Sequence, residues 1–122
     1  MNTNATPNSF SRAATVHLPG YGPANLRDII RLESADNYTF VFWHKPRPYL
    51  CATTLLHFER ELSGFVRVGQ HHLINPLHLV SLKRGEDAVT LIMRDNCQIT
   101  LPRKAGLVIV ARILATTLES LS

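Results

Sequence analysis

The stretch Phe65-Val-Arg-Val-Gly-Gln-His-His-Leu-Ile-Asn75, with Pro76 directly behind it, decides how the chain reads. Phe65, Val66 and Val68 open it as a short apolar strand. Gly69, Gln70, His71 and His72 interrupt that run with a polar knot. Leu73 and Ile74 restore the apolar character, and Asn75-Pro76 makes a turn, because proline fixes φ and has no amide proton to donate. A polar turn held between core-forming residues is a rigidly presented loop, and loops of that kind carry recognition residues.

Upstream of this stretch the pattern is that of short strands. Ala13–Leu18 reads as a first short strand, and Pro19-Gly20-Tyr21-Gly22-Pro23 as turn material. Ile29, Ile30 and Leu32 lead a strand that closes at Glu33, with Ser34–Asn37 as its turn. Tyr38–His44 is rich in aromatic and β-branched residues with both alternating faces apolar, which predicts a central strand covered on each side. Lys45-Pro46-Arg47-Pro48 forces another turn, and Tyr49–Ala52 returns as a strand. Thr53 or Thr54 can cap a short helix over Leu55–Leu62, whose Leu55, Phe58 and Leu62 share one face.

Downstream, Leu77–Leu82 reads as a strand and Lys83–Asp87 as a hairpin loop. Ala88–Arg94 and Cys97–Leu101 make a last hairpin across Asp95-Asn96. A final helix is expected over roughly Lys104–Leu118, with Leu107, Val110, Ala111, Leu114 and Leu118 as its core stripe. Val108, Ile109 and Ile113 fall off that stripe and hint at a second packed partner. No internal repeat is visible. The fold class is therefore mainly β, short antiparallel sheets with one short internal helix and a C-terminal helix.

The chain has 122 residues, enough for one domain with one real core. Its apolar fraction of 45% and charged fraction of 18% are those of a folded globular protein. A net charge of +4 and a pI near 9.5 favour an acidic partner, nucleic acid first among them. Cys51 and Cys97 are too few and too far apart for a disulfide framework or a zinc site, and read as reduced thiols. There is no leader and no apolar run of membrane-spanning length, so a soluble, cytoplasmic protein is expected.

Catalytic patterns are missing. His71 and His72 are adjacent, so in extended chain they point to opposite faces and do not share an ion; no metal site is expected. There is no Gly-x-Ser-x-Gly, no glycine-rich phosphate loop and no paired acids, and neither an enzyme nor a cofactor is expected. What stands out instead is polar and basic residues in loops: Asn37, Gln70, His71, His72, Arg103 and Lys104. Arginine and lysine pair with guanine acceptors or phosphates, and asparagine and glutamine with adenine edges. The same residues also fit an ordinary solvated surface.

The order of motifs resembles a known family. Asp28-Ile-Ile-Arg-Leu-Glu-Ser-Ala-Asp-Asn-Tyr-Thr-Phe-Val41, the Leu-rich short helix, Phe65-Val-Arg67 with Leu73-Ile-Asn75, and the hairpin closing on Pro102-Arg103-Lys104 are similar, in that order, to the LytTR (LytR/AlgR-type) DNA-binding domain. The resemblance spans roughly Asp28–Leu114. It implies a β fold that reads double-stranded DNA with loops entering successive major grooves. It implies base contacts near Asn37, Tyr38 and Thr39, at Gln70 with His71, and at Arg103 with Lys104. Gly69-Gln70-His71 departs from the family, which often has a cation there, so the operator preference does not carry over.

The resulting expectation is a bacterial, non-enzymatic transcription regulator, response-regulator-like but free-standing, since only 27 residues precede the match. Residues 1–27 read as an arm with a short strand, and 28–118 as the LytTR-like DNA-binding domain. Lys45, Arg47, Lys83 and Arg84 are the expected phosphate contacts. Repeated DNA sites and a homodimer through the C-terminal helix are the expected partners, with no membrane. The alternative is a protein-interaction or signalling module on the same fold that has weak or lost DNA binding.

Overall fold

A computed structural model describes residues 14–121, with side chains described as far as 118. The first hairpin is β1 (Thr15–Leu18) and β2 (Gly22–Asn25). A 3-10 turn, Leu26–Asp28, leads into β3 (Ile29–Ala35), β4 (Tyr38–Trp43) and β5 (Tyr49–Cys51). Helix α1 (Leu55–Glu61) follows, capped by the Thr54 hydroxyl, which accepts from the His57 amide. Then come β6 (Val66–Val68), β7 (His72–Ile74), a second 3-10 turn over Pro76–His78, and β8 (Leu79–Arg84). The chain closes with β9 (Ala88–Met93), β10 (Gln98–Pro102) and helix α2 (Arg103–Leu121).

These strands make small antiparallel sheets, as the sequence predicts, and there are three of them among the described residues. The middle one has five strands in the order β5-β4-β3-β7-β6. On one face the β1–β2 hairpin and α1 pack through Val16, Leu18, Leu55, Phe58 and Leu62 onto Leu32, Val41, Trp43 and Leu73. On the other face the three-stranded sheet β10-β9-β8 and α2 pack through Leu91, Met93, Ile99, Ile109 and Ile113 onto Ile30, Val66, Val68 and Ile74. Successive residues Leu73 and Ile74 thus serve opposite cores, which is what strand geometry dictates.

An internal repeat, invisible in the sequence, runs through the fold at an offset of 50 residues. Val16↔Ala24 and Leu18↔Gly22 in the first hairpin recur as Val66↔Ile74 and Val68↔His72. Asn25 caps the first 3-10 turn by accepting from the Arg27 amide, and Asn75 caps the second by accepting from that of Leu77. The β3–β4 register slips between Ile29 and Arg31, and the β8–β9 register between Leu79 and Ser81. Even the bond from the His44 amide to the Asp28 carbonyl recurs, from Arg94 to His78. Across the aligned elements only Val16/Val66, Asn25/Asn75 and Leu32/Leu82 are identical, too few to betray the repeat.

Several expectations need correction. Residues 14–27 are not an arm: Val16, Leu18, Ala24 and Leu26 are core residues. Residues 1–13 lie outside the described residues. Strand β3 continues through Ser34 to Ala35, leaving a two-residue turn at Asp36-Asn37. Strand β4 buries only Thr39, Val41 and Trp43; Phe40 and Phe42 are half-exposed, and the Arg31 guanidinium lies 3.7 Å over the Phe42 ring. Lys83 and Arg84 belong to β8 rather than to a loop.

The largest change concerns α2. Its buried side is Gly106, Ile109 and Ile113, with Val110 and Thr116 half-buried, while the expected stripe residues Leu107, Ala111, Leu114 and Leu118 are exposed. A helix apolar on most sides offers several stripes, and packing selects the one that allows close approach. A Cβ built on Gly106 would stand 2.5 Å from the Val89 Cβ, so the helix rests on β9 at the one residue with no side chain.

Candidate nucleic-acid interface

Strand directions decide which loops meet. Glu33 near the end of β3 pairs with His72 at the start of β7, so the Asp36-Asn37 turn and the Gly69–His71 turn lie at the same end of the middle sheet. They are bonded together: the Ser34 amide donates to the His71 carbonyl at 2.9 Å, and the Ser34 hydroxyl lies 2.7 Å from His71 Nδ1. A Cβ on Gly69 would stand 3.8 Å from Leu101 near the end of β10, which brings the β10–α2 junction to that end as well. There the Arg103 amide donates to Asp87 O at 3.0 Å, and its guanidinium Nη1 to Gly85 O at 3.1 Å. Three turns and one strand–helix junction form a single end surface.

The Gly69–His71 turn is narrow because Gly69 has φ +64°, a left-handed conformation that costs glycine little. Arg67 braces it, with Nη2 donating to the Gln70 carbonyl at 2.7 Å and Nη1 to Glu59 on α1 at 2.6 Å. The carbonyl of Gln70 is therefore fixed while its side chain is exposed. Asn37, Tyr38, His71, Arg103 and Lys104 are exposed at the same end. Thr39 is not: it is fully buried, and its hydroxyl donates to the Thr53 carbonyl at 2.6 Å, so its side chain is unavailable to a base edge.

Of the four phosphate candidates, Lys83 and Arg84 sit at this end, beside the Gly85–Asp87 turn. Lys45 and Arg47 sit at the other end of β4, a strand about 20 Å long at the usual rise per residue. Lys45 Nζ donates to the Tyr21 hydroxyl at 3.0 Å and lies over the Tyr21 and Trp43 rings, and the Arg47 carbonyl accepts from Trp43 Nε1. The fold therefore splits the four candidates into two groups.

Sequence reasoning missed the bracing residues Ser34 and Arg67. Arg67 lay in the decisive stretch, but its partner Glu59 is reached only through the placement of α1. His72 belongs to β7 rather than to the turn and is half-buried. Its Nδ1 is buried without a hydrogen-bond partner and lies 3.8 Å from Glu33, and burial holds its pKa below the ordinary histidine value. Cys51 is a buried free thiol pushed up to about 11 by burial, and Cys97, half-buried, is also raised. Among the described residues no group of three or more His, Cys, Asp or Glu could hold a metal ion, and no helix is long and apolar enough to cross a membrane.

The fold has a counterpart among solved structures. The LytTr DNA-binding domain of a Bacillus cereus protein, described as a methyl-accepting/DNA response regulator, superposes with a TM-score of 0.64 at 19% identity. The match covers 82% of this chain and 95% of that one. No curated protein matches the chain. The family profile described as the LytTr DNA-binding domain matches residues 22–106, from the second strand into α2. On that match over most of its length, the chain belongs to the LytTr DNA-binding domain family.

Proposed function

We propose that this DNA-binding domain is a sequence-specific transcription regulator that reads the major groove of double-stranded DNA with its end surface. The observation that carries the reading is the convergence of the Asp36-Asn37 turn, the Gly69–His71 turn and the Arg103-Lys104 junction at one end, each braced from behind. Bracing matters because a pre-ordered loop loses little entropy on binding. Asn37 and Gln70 offer amides suited to adenine edges, and Arg103 offers the donors left after its bond to Gly85, suited to guanine. Tyr38 and His71 flank them, and Lys104, Lys83 and Arg84 supply phosphate contacts. The regulator acts in a bacterial cytoplasm, on repeated sites, with two copies meeting through α2.

Selection from a pool of randomised duplexes tests the reading. A recovered consensus supports it; a folded protein that enriches nothing at low salt sinks it. Arg103→Ala should cost about 1–3 kcal/mol on the consensus and relax preference at one base position. A loss equal on all sequences would make Arg103 a phosphate clamp instead. A second reading, a protein-interaction module with weak DNA binding, is favoured by the exposed Leu107, Val108 and Leu114 on α2. A stable protein partner together with DNA affinity no better than nonspecific would select it.

A further inference from the structure

We infer that Ser34 is a positioning residue for base readout, fixing the His71 ring so that Nε2 presents a proton to the DNA. The inference rests on the reading of DNA by the end surface, proposed above, and adds the kind of base edge that the Gln70-His71 turn selects.

Two bonds join the pair. The Ser34 amide donates to the His71 carbonyl at 2.9 Å, which sets the backbone of the turn, and the Ser34 hydroxyl lies 2.7 Å from Nδ1, which sets the ring. Ser34 belongs to β3, which is flanked by β4 on one side and β7 on the other, so its hydroxyl hangs from the rigid middle of the sheet. His71 itself is exposed. With Nδ1 engaged, Nε2 is the ring nitrogen left for a ligand.

The bond length says which partner holds the proton. A hydroxyl donates over about 2.7–2.8 Å, whereas an N–H group donates over about 2.9–3.0 Å. At 2.7 Å the hydroxyl is the donor and Nδ1 the acceptor. In the neutral imidazole the proton then stands on Nε2. A histidine without such a tether is free to turn its ring or change tautomer, and so to offer either a donor or an acceptor. His71 offers a donor alone.

A lone donor discriminates in the major groove. Cytosine shows only its amino donor there and rejects a second donor, while guanine shows two adjacent acceptors, N7 and O6. The turn therefore favours guanine opposite His71 and disfavours cytosine most, beside whatever base Gln70 reads.

Two measurements test this. The first uses the full chain free of DNA, in mildly alkaline buffer. Long-range proton–nitrogen correlation spectra, with His71→Gln to assign the ring, should show Nε2 protonated and Nδ1 bare. Ser34→Ala should move part of the proton onto Nδ1, and Ser34→Thr, which keeps the hydroxyl, should not. A proton on Nδ1 in the unsubstituted chain, or a ring that Ser34→Ala leaves unchanged, would overturn the positioning.

The second is selection from randomised duplexes with the unsubstituted chain, Ser34→Ala, His71→Ala and the double variant. Ser34→Ala should lower the preference for guanine over cytosine at one position about fivefold, the worth of one neutral hydrogen bond. His71→Ala should relax that same position, and the double variant should lose no more than His71→Ala does. Losses at different positions, losses that add, or a loss equal on all sequences would each overturn the base readout. An unsubstituted chain that enriches nothing sinks the proposed function and the base readout with it, while the ring spectrum still decides the positioning.

Discussion

Asn75 shows how one residue can decide a local structure. It is completely buried, and its amide nitrogen donates to the Leu26 and Ile29 carbonyls at 3.2 and 2.9 Å while its oxygen accepts from the Leu77 amide. One side chain thus satisfies both ends of the bend between β2 and β3 and starts the turn after β7. Asn75→Ala removes all three of these bonds, leaving the Leu26 carbonyl only its bond from the Ile29 amide, and should lower stability by about 2–4 kcal/mol. Chemical denaturation monitored by Trp43 fluorescence would check it; a change under about 0.5 kcal/mol would mean that water replaces the amide without cost. The sequence marked Asn75 as part of a family signature and as a turn residue, but its partners lie almost fifty positions away. Thr39 is the complementary case. Its position beside Asn37 made it a candidate for base contact, and only the pairing of β4 with β5 shows that it faces the core.

At the scale of elements, α2 and β9 carry the sharpest constraint. Gly106 sits against the fully buried Val89, closer than any side chain would allow. In an exposed helix Gly→Ala gains about 1 kcal/mol from propensity. Here Gly106→Ala should instead destabilise by about 1–3 kcal/mol, because the helix must lift from the sheet. Combining it with Val89→Ala should recover part of the loss, so that the two changes are far from additive in denaturant titrations. Additive losses would show that helix and strand do not meet here. Strand and helix identities were legible because β-branched runs, prolines and caps announce them. The face that α2 buries was not, since an apolar residue occurs on nearly every side of it and one glycine settles the matter. The five-strand order was equally hidden: nothing in His72–Ile74 says that it inserts beside β3.

For the whole molecule, the separation of the basic residues into two ends has a measurable result. If the braced end meets DNA, Lys83, Arg84 and Lys104 lie near phosphates, and Lys45 and Arg47 lie some 20 Å away. The logarithm of affinity against the logarithm of salt concentration should then have a slope of roughly −3. Lys104→Ala should reduce its magnitude by about 1, and the pair Lys45→Ala and Arg47→Ala should leave it unchanged. The reverse pattern, measured by fluorescence anisotropy at several salt concentrations, would place the DNA at the opposite end. Sequence alone set Lys45 and Arg47 beside Lys83 and Arg84 as equal phosphate candidates, because distance along a chain says nothing about which end of a strand a loop occupies.

The two structural halves related by the 50-residue offset are not two independent lobes. Strands β3, β4 and β5 come from the first half, yet the sheet they form is completed by β6 and β7 from the second. Each half severed from the other would expose a long unpaired strand edge and half of an apolar core. A fold built of two like halves is thus indivisible. Cut in the exposed link at Ser63, its fragments can be expected to regain order only by finding each other, as two halves of one clasp.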